Sequence, residues 1–164
     1  MKFTAESTID APADQIDLEN WLFTLSDEEY QACARGHRAA GAFNERGVRG
    51  TVNIENIGGT LMIQHYRQVS ADAGRVEMFS TRSRAYILHL VPAHISVRWT
   101  MTATPRTADT TTFSCTVETQ MPRVLRLLAA TIFVPYFLRK HVDEETPLFA
   151  ADISRKLGVH GSGR

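Results

Sequence analysis

The chain is poor in the features that mark several large functional classes. It has two cysteines, Cys33 and Cys115, in 164 residues, too few for a disulfide scaffold or a four-cysteine zinc site. Its longest apolar run, Leu127 to Leu138, is 12 residues including Thr131 and Pro135, well short of the roughly 18 to 20 that span a bilayer. Nothing in Met1 to Ile9 has the pattern of a secretory h-region, so a soluble chain in a reducing cytoplasm is the expectation. No sign of charge is in excess, because 18 Lys and Arg balance 18 Asp and Glu. That balance argues against nucleic acid as a partner and against a disordered chain. The patterns Gly-x-x-x-x-Gly-Lys, Gly-x-Gly-x-x-Gly and Gly-x-Ser-x-Gly are missing, which leaves nucleotide cradles and a hydrolase nucleophile elbow without support.

What remains is a chain that is 43% hydrophobic, enough for one domain with a real core, placed here at residues 1–157 with a flexible Gly/Ser tail at 158–164. Charge is unevenly spread. Residues 1–30 carry eight acidic side chains against Lys2, whereas residues 31–140 carry fourteen basic and six acidic ones. The plain reading is an acidic helical segment attracted to an arginine-bearing sheet; the sharper one is a basic mouth for anions.

Periodicity orders the elements. Phe3, Ala5, Ser7 and Ile9 alternate with polar residues as in a half-buried strand. Asp10-Ala11-Pro12-Ala13 ends it and leads into a first helix, and Ser26-Asp27-Glu28-Glu29 has the capping-box form that starts a second. This second helix is expected to pass through Tyr30, Cys33 and Ala34 and to loosen at Gly36 and Gly41. From Val48 to Met121 the period becomes two. Strands are expected at Gly50 to Asn56, Leu61 to Val69, Val76 to Thr81, Ala85 to Val91, Ile95 to Ala103 and Phe113 to Met121, with Gly58-Gly59 as a hairpin turn. One wet and one dry face per strand argue for an antiparallel meander. After Pro122, apolar residues recur at helical spacing, which predicts one long terminal helix, kinked at Pro135 and again at Pro147.

A strand, two short helices, five or six antiparallel strands and a long apolar helix form an α+β domain whose curved sheet buries its dry face under that helix. Here the chain resembles the START-like, or SRPBCC, superfamily, which includes Bet v 1-like proteins and polyketide cyclases and dehydrases. The resemblance rests on Glu6-Ser7-Thr8-Ile9-Asp10-Ala11-Pro12-Ala13-Asp14 and on Trp21-Leu22-Phe23-Thr24-Leu25-Ser26-Asp27. It implies a helix-grip fold, a curved antiparallel sheet wrapped around a long C-terminal helix. It also implies a cavity between sheet and helix that takes a small hydrophobic or aromatic, lipid- or polyketide-like molecule. No cofactor is expected in that reading.

Trp99, Met101, Phe113, Val117, Phe133, Tyr136 and Phe137 are the expected cavity wall, since aromatic surfaces suit planar or lipid-like guests. Their plain alternative is ordinary core. His65, Tyr66 and His89 are candidate acid–base groups for cyclase- or dehydratase-type chemistry, imidazole titrating near neutrality; His94 belongs to the same set, and Tyr136 is a further group for orienting a polar substituent. His141 and Glu145 stand at i and i+4, so on a helix they share a face and can hold one cation. Phloretin hydrolase and diacetylphloroglucinol hydrolase, zinc enzymes with a related domain, look similar in using such a pair with an earlier His and Glu. That likeness implies His37 as the early histidine and a zinc-dependent C–C bond hydrolase as the alternative function; no fourth ligand is evident from spacing, Glu55 and Glu77 being the available carboxylates. A third alternative is a co-chaperone-like interaction module. Cys33 and Cys115 read as buried small apolar groups. The apolar block from Leu127 to Leu138, flanked by Arg123, Arg126, Arg139 and Lys140, reads as a buried helix with solvated ends; its competing reading is a membrane-surface contact without stable insertion.

Overall fold

The computed structural model describes residues 1–161, and its architecture follows from where period-two segments meet glycine-bearing turns. Seven strands form one antiparallel sheet: β1 (Lys2–Ile9), β2 (His37–Glu45), β3 (Val48–Ile57), β4 (Thr60–Ala71), β5 (Arg75–Ile87), β6 (Val91–Pro105) and β7 (Thr111–Gln120). Their order across the sheet is β1-β7-β6-β5-β4-β3-β2. The described residues also form a short 3-10 turn at Ala13–Gln15 and four α-helices: α1 (Leu18–Thr24), α2 (Asp27–Ala32), α3 (Arg123–Thr131) and α4 (Val134–Gly161). The curved sheet grips α4, as the helix-grip expectation requires. Phe149 of α4 is fully buried, meeting Trp21 of α1 edge-on and Trp99 of β6 at a tilt.

Tight turns hold the strands in register. Arg46-Gly47 and Gly58-Gly59 are two-residue connections with positive φ at both positions, the backbone that matches the twist of paired strands. On β6 the alternation is as expected: Ile95, Val97, Trp99, Met101 and Ala103 are buried, and the residues between them are not. The expected capping box is present at α2, where the Glu29 backbone N–H donates to Ser26 and the Glu29 carboxylate accepts from the Ser26 backbone N–H.

Several expectations are corrected. His37 to Glu45 is an edge strand, not a loosening helix; its Ala- and Gly-rich sequence carries no periodic signal, and pairing with β3 decides its state. The two segments expected at Val76 and Ala85 are one strand, β5, bent by a register shift between Ser80 and Ser83, whose buried hydroxyls hydrogen-bond at 2.8 Å. The break expected between Val91 and Ile95 is absent: Pro92 pairs with Tyr86 in the ladder, and the chain turns instead at Leu88–Leu90. The terminal helix is two helices, broken at Ile132–Phe133, where Phe133 has φ of 58°. Pro135 therefore lies in the first turn of α4, where its missing N–H is tolerated, and Pro147 lies inside a continuous helix. The apolar block is not a buried rod: Leu127, Leu128, Phe133 and Tyr136 are exposed. Helix α4 also continues from Gly158 to Gly161, into the stretch expected as a tail; positions 162–164 lie outside the described residues.

Glu29 ties α2 to α4. Besides capping α2 it accepts from Arg155 and from Lys156, at 2.9 and 2.8 Å. Burial alone would raise its pKa, but the hydrogen bonds from Lys156, Ser26 and Arg155 outweigh that and hold it at about 2. Its contribution is complete above the ordinary value of 4.5 and fades as the pH falls toward about 2. Glu29→Ala is expected to cost about 1–2 kcal/mol in urea unfolding at neutral pH, with the difference from wild type shrinking below pH 4.

Candidate metal centre and ligand cleft

Three elements far apart in sequence converge beneath α4. His37 opens β2, Glu55 sits near the end of β3, and His141 and Glu145 lie one turn apart on α4. All four are at least nine-tenths buried, with relative exposures of 3, 7, 7 and 3%. One donor atom each from His37, Glu55 and His141 lie within 4.8 Å of one another. Glu145 Oε2 is 3.3 Å from His37 Nε2 and 3.4 Å from His141 Nε2, and Glu55 Oε2 is 4.0 Å from His141 Nε2.

The local chain explains the convergence. Gly36 accepts from the Asn56 backbone N–H at 2.7 Å, which docks the start of β2 beside the end of β3. A Cβ at Gly36 would come within 3.1 Å of His141 Nδ1, so glycine lets α4 approach. On β3 the residues facing inward are the polar ones: Thr51, Asn53 and Glu55 are buried while Val52 and Ile54 are half-buried.

Each group is oriented from behind. His37 Nδ1 lies 2.6 Å from the Tyr30 carbonyl oxygen, and because a carbonyl only accepts, Nδ1 carries the proton. In neutral His37 the Nε2 lone pair therefore faces the Glu145 carboxylate. The Tyr30 ring stacks on His37 with centroids 3.8 Å apart, and its hydroxyl donates to Glu55 Oε1 at 2.5 Å while accepting from Asn53 Nδ2 at 3.2 Å. Glu145 Oε1 accepts from the Cys115 thiol at 3.5 Å, and that sulfur accepts from Trp99 Nε1 at 3.2 Å. His141 Nε2 is buried without an aligned hydrogen bond. Outer partners that fix the tautomer and aim of imidazoles and carboxylates are the usual support of metal ligands.

Electrostatics point the same way. Burial would lower the His141 pKa, but the Glu145 carboxylate, with Glu55 behind it, raises it to about 9. Burial would raise Glu145, but His141 and His37 pull it down to about 2. Two imidazoles and two carboxylates thus share one water-poor space that calls for positive charge. Two imidazole nitrogens with carboxylate oxygens suit zinc and other divalent transition metals.

Two narrow chambers that share lining residues form a cleft from this cluster to beneath α3. The inner chamber, about 20 Å³, is lined by Glu55, His141 and Glu145 together with Gln64, Tyr66, Trp99, Val117 and Thr119. Gln64 Oε1 and Thr119 Oγ1 are buried there without partners. Ile57, Met62 and Leu138 border both chambers; beyond them an apolar outer chamber of about 30 Å³ runs beneath α3, between Ile87, Ile95, Leu125 and Ala129. These volumes hold a water or two, so an organic guest enters only if a wall moves. Helix α3, which covers the outer chamber, buries only Ala129 completely.

The expected site residues divide accordingly. His37, His141 and Glu145 are brought together, and Glu55 joins them; Glu77 is instead on the outer face, paired with Arg75 and Arg98. Among the expected wall residues, Trp99 and Val117 line the inner chamber. Met101 and Phe113 are fully buried core, Phe137 packs against Gly58, and Phe133 and Tyr136 point outward at 69 and 60% exposure. Tyr66 lines the inner chamber, where burial pushes its hydroxyl pKa well up. His65 and His94 lie together in a groove with Arg67 and Arg84, away from the cluster, and exposed His89 occupies the β5–β6 turn at φ of 61°. None of these three histidines reaches the cleft. Both cysteines are buried, and burial pushes Cys33 up to about 12, consistent with inert thiols. Tyr30, Asn53 and Gln64 were not anticipated; the inverted polarity of β3 is the sequence signal that points to Asn53 and Glu55.

In protein stripped of divalent ions, the His141 contribution to stability is complete below its ordinary value of 6.5 and is lost as the pH rises through about 9. The Glu145 contribution is present above 4.5 and is lost as the pH falls toward about 2. Urea unfolding of chelated protein should therefore lose stability between pH 6.5 and 9, and His141→Gln should flatten that limb. Equal alkaline slopes in both proteins would contradict this account.

No protein-family model and no curated protein matches the chain in sequence, whereas solved structures match its whole fold. TTHA0849 from Thermus thermophilus superposes with a TM-score of 0.65 at 12% identity, covering 98% of this chain and 99% of that one. The Zhui aromatase/cyclase from Streptomyces sp. R1128 gives 0.64 at 12%, covering 99% and 98%. A START superfamily protein from Mycobacterium smegmatis gives 0.50 at 13%, covering 88% and 96%. Strand order, gripped helix and these superpositions together establish that the chain has the START-like helix-grip fold.

Proposed function

We propose that this protein is a metal-dependent enzyme that takes a small hydrophobic or aromatic ketone into the cleft beneath α3 and cleaves the adjacent carbon–carbon bond hydrolytically. The observation that carries this reading is the buried cluster of His37, Glu55, His141 and Glu145, in which His37 Nε2 and His141 Nε2 approach one carboxylate oxygen at 3.3 and 3.4 Å. A divalent ion there would polarise a carbonyl and make hydroxide available near neutral pH.

The residues of the chain supply the remainder. His37, Glu55 and His141 are the proposed ligands, and Glu145 either completes the set or balances its charge. Tyr66, kept protonated by burial, presents a hydroxyl in the same chamber and is suited to donate a proton to the oxygen or carbon on which charge develops. Gln64 and Thr119, each with an unpartnered oxygen, favour a ligand with a hydroxyl near its carbonyl, because a bound donor group would satisfy them. The apolar outer chamber receives the rest of the molecule. A second reading, a metal-free carrier or cyclase-type protein, is supported by the apolar outer chamber and by the fold of the Zhui aromatase/cyclase; in it His141 remains protonated against Glu145.

Elemental analysis of untagged protein purified without chelator separates the two. About one divalent metal ion per chain is expected, falling at least about tenfold in His141→Ala and Glu55→Gln. Protein that folds, carries no metal and takes up none from added zinc would remove the enzyme reading. Native mass spectrometry of the same sample tests the cleft: a retained organic molecule should be lost in Leu138→Trp, which narrows both chambers.

A further inference from the structure

The outer chamber lies at the end of the sheet where Ile57 and Thr60 flank the β3–β4 turn and Ile87 precedes the β5–β6 turn, and that end carries exposed apolar side chains. Gly58 of the β3–β4 turn lies directly against the Phe137 ring, and Gly59 neighbours Leu88. The β3–β4 turn, the β5–β6 turn and the start of α4 are thus gathered together, with α3 over the outer chamber beside them. Leu88, Leu90, Val124, Leu127, Phe133 and Tyr136 are 56, 81, 81, 70, 69 and 60% exposed. Leu88 and Phe133 are moreover held at φ of 51° and 58°, backbone that a non-glycine residue adopts rarely. Large apolar side chains left exposed together at one end mark an interaction surface.

Charge indicates the partner. Residues 84–98 and 121–142, which supply these side chains, contain no Asp or Glu. Arg123, Arg126 and Lys140 are exposed, and no carboxylate pairs with any of them among the described residues. Helix α3 places Arg123 and Arg126 beside Val124 and Leu127, an arrangement of apolar and basic side chains suited to a charged, layered surface. An isolated hairpin tip and a single short helix present protruding side chains rather than a groove, which fits a deformable surface better than a folded protein.

We propose that this end docks peripherally on an anionic phospholipid bilayer. Leu88, Leu90, Leu127 and Phe133 enter the boundary between headgroups and acyl chains, while Arg123, Arg126 and Lys140 meet phosphates. The inference deepens the proposed function, resting on the reading that the cleft takes a hydrophobic ligand: docking puts the outer-chamber end of the cleft where such ligands partition and lays the weakly anchored α3 on the membrane surface. It involves no membrane crossing, and no helix of the described residues is long and apolar enough for one.

The test is co-sedimentation of the full chain with phosphatidylcholine vesicles, with and without phosphatidylglycerol. Binding should be at least about tenfold tighter to the anionic vesicles and should weaken as salt is raised. Arg123→Glu with Arg126→Glu should remove that preference, and Leu127→Asp with Phe133→Asp should abolish binding to both. Aspartate tolerates the backbone at position 133 better than phenylalanine, so folding is preserved; an unchanged thermal transition and metal content check this. Because metal content is read separately, failure of docking and failure of the metal reading are distinguishable. No sedimentation with anionic vesicles, or binding unaffected by Leu127→Asp with Phe133→Asp, overturns the proposal. Self-association that is lost in that variant, without vesicle binding, overturns it too and makes the patch a contact between copies.

Discussion

Two carboxylates and two imidazoles buried in one space impose the main constraint on this molecule. A buried carboxylate without compensating charge costs several kcal/mol, and the protons that could compensate are few. His37 has its Nδ1 proton committed to the Tyr30 carbonyl, and the Tyr30 hydroxyl proton is committed to Glu55. What faces Glu145 is a pair of imidazole Nε2 atoms, one of them lacking an aligned hydrogen bond. Either one imidazole of the pair carries a second proton against Glu145, or a cation stands among the four groups. A core that only needed to be stable would do as well with apolar side chains there; hydrogen bonds from the Tyr30 and Cys115 side chains, themselves held by Asn53 and Trp99, give the cluster the character of a site.

The fold serves that cluster by bringing an edge strand, its neighbour and the gripped helix to one point. Gly36 gives α4 its close approach, and the Phe149–Trp21–Trp99 contacts fix the helix one turn beyond Glu145. From the cluster outward the lining changes from charged, through Gln64, Tyr66 and Thr119, to apolar beneath α3 except for Thr60. That gradient matches a ligand with a polar reacting end and an apolar body. The narrowness of both chambers and the slight anchoring of α3 belong together: a cover that buries one residue can give way without disturbing the sheet.

The helix-grip architecture was legible because it depends on strong local signals. Alternation on β1, β6 and β7, the Gly58-Gly59 turn and the Ser26–Glu29 capping box each appear in the structure where the residues place them. Other elements depend on tertiary partners. The strand from His37 to Glu45 has no periodicity of its own and is set by β3. The β5–β6 turn falls at Leu88–Leu90, which lacks glycine, and this takes His89 out of reach of the cleft. Phe133 and Tyr136 occupy apolar helical positions, yet the break before α4 rotates them into solvent; spacing along a chain does not reveal a break that depends on one left-handed residue. For the site, His37, His141 and Glu145 could be named from the helical spacing and a family likeness. Glu55 could not be preferred over Glu77 until strand register placed one inside the sheet and the other outside, although β3 already showed polar residues where an ordinary strand has apolar ones.

X-ray absorption spectroscopy at the metal edge of protein loaded with one equivalent of zinc tests the central claim most directly. The expected result is four to five nitrogen and oxygen neighbours at about 2.0–2.2 Å, with the more distant scattering of two imidazoles and loss of one imidazole in His141→Ala. Sulfur neighbours, a hexa-aquo spectrum, or a spectrum unchanged by His141→Ala would contradict it.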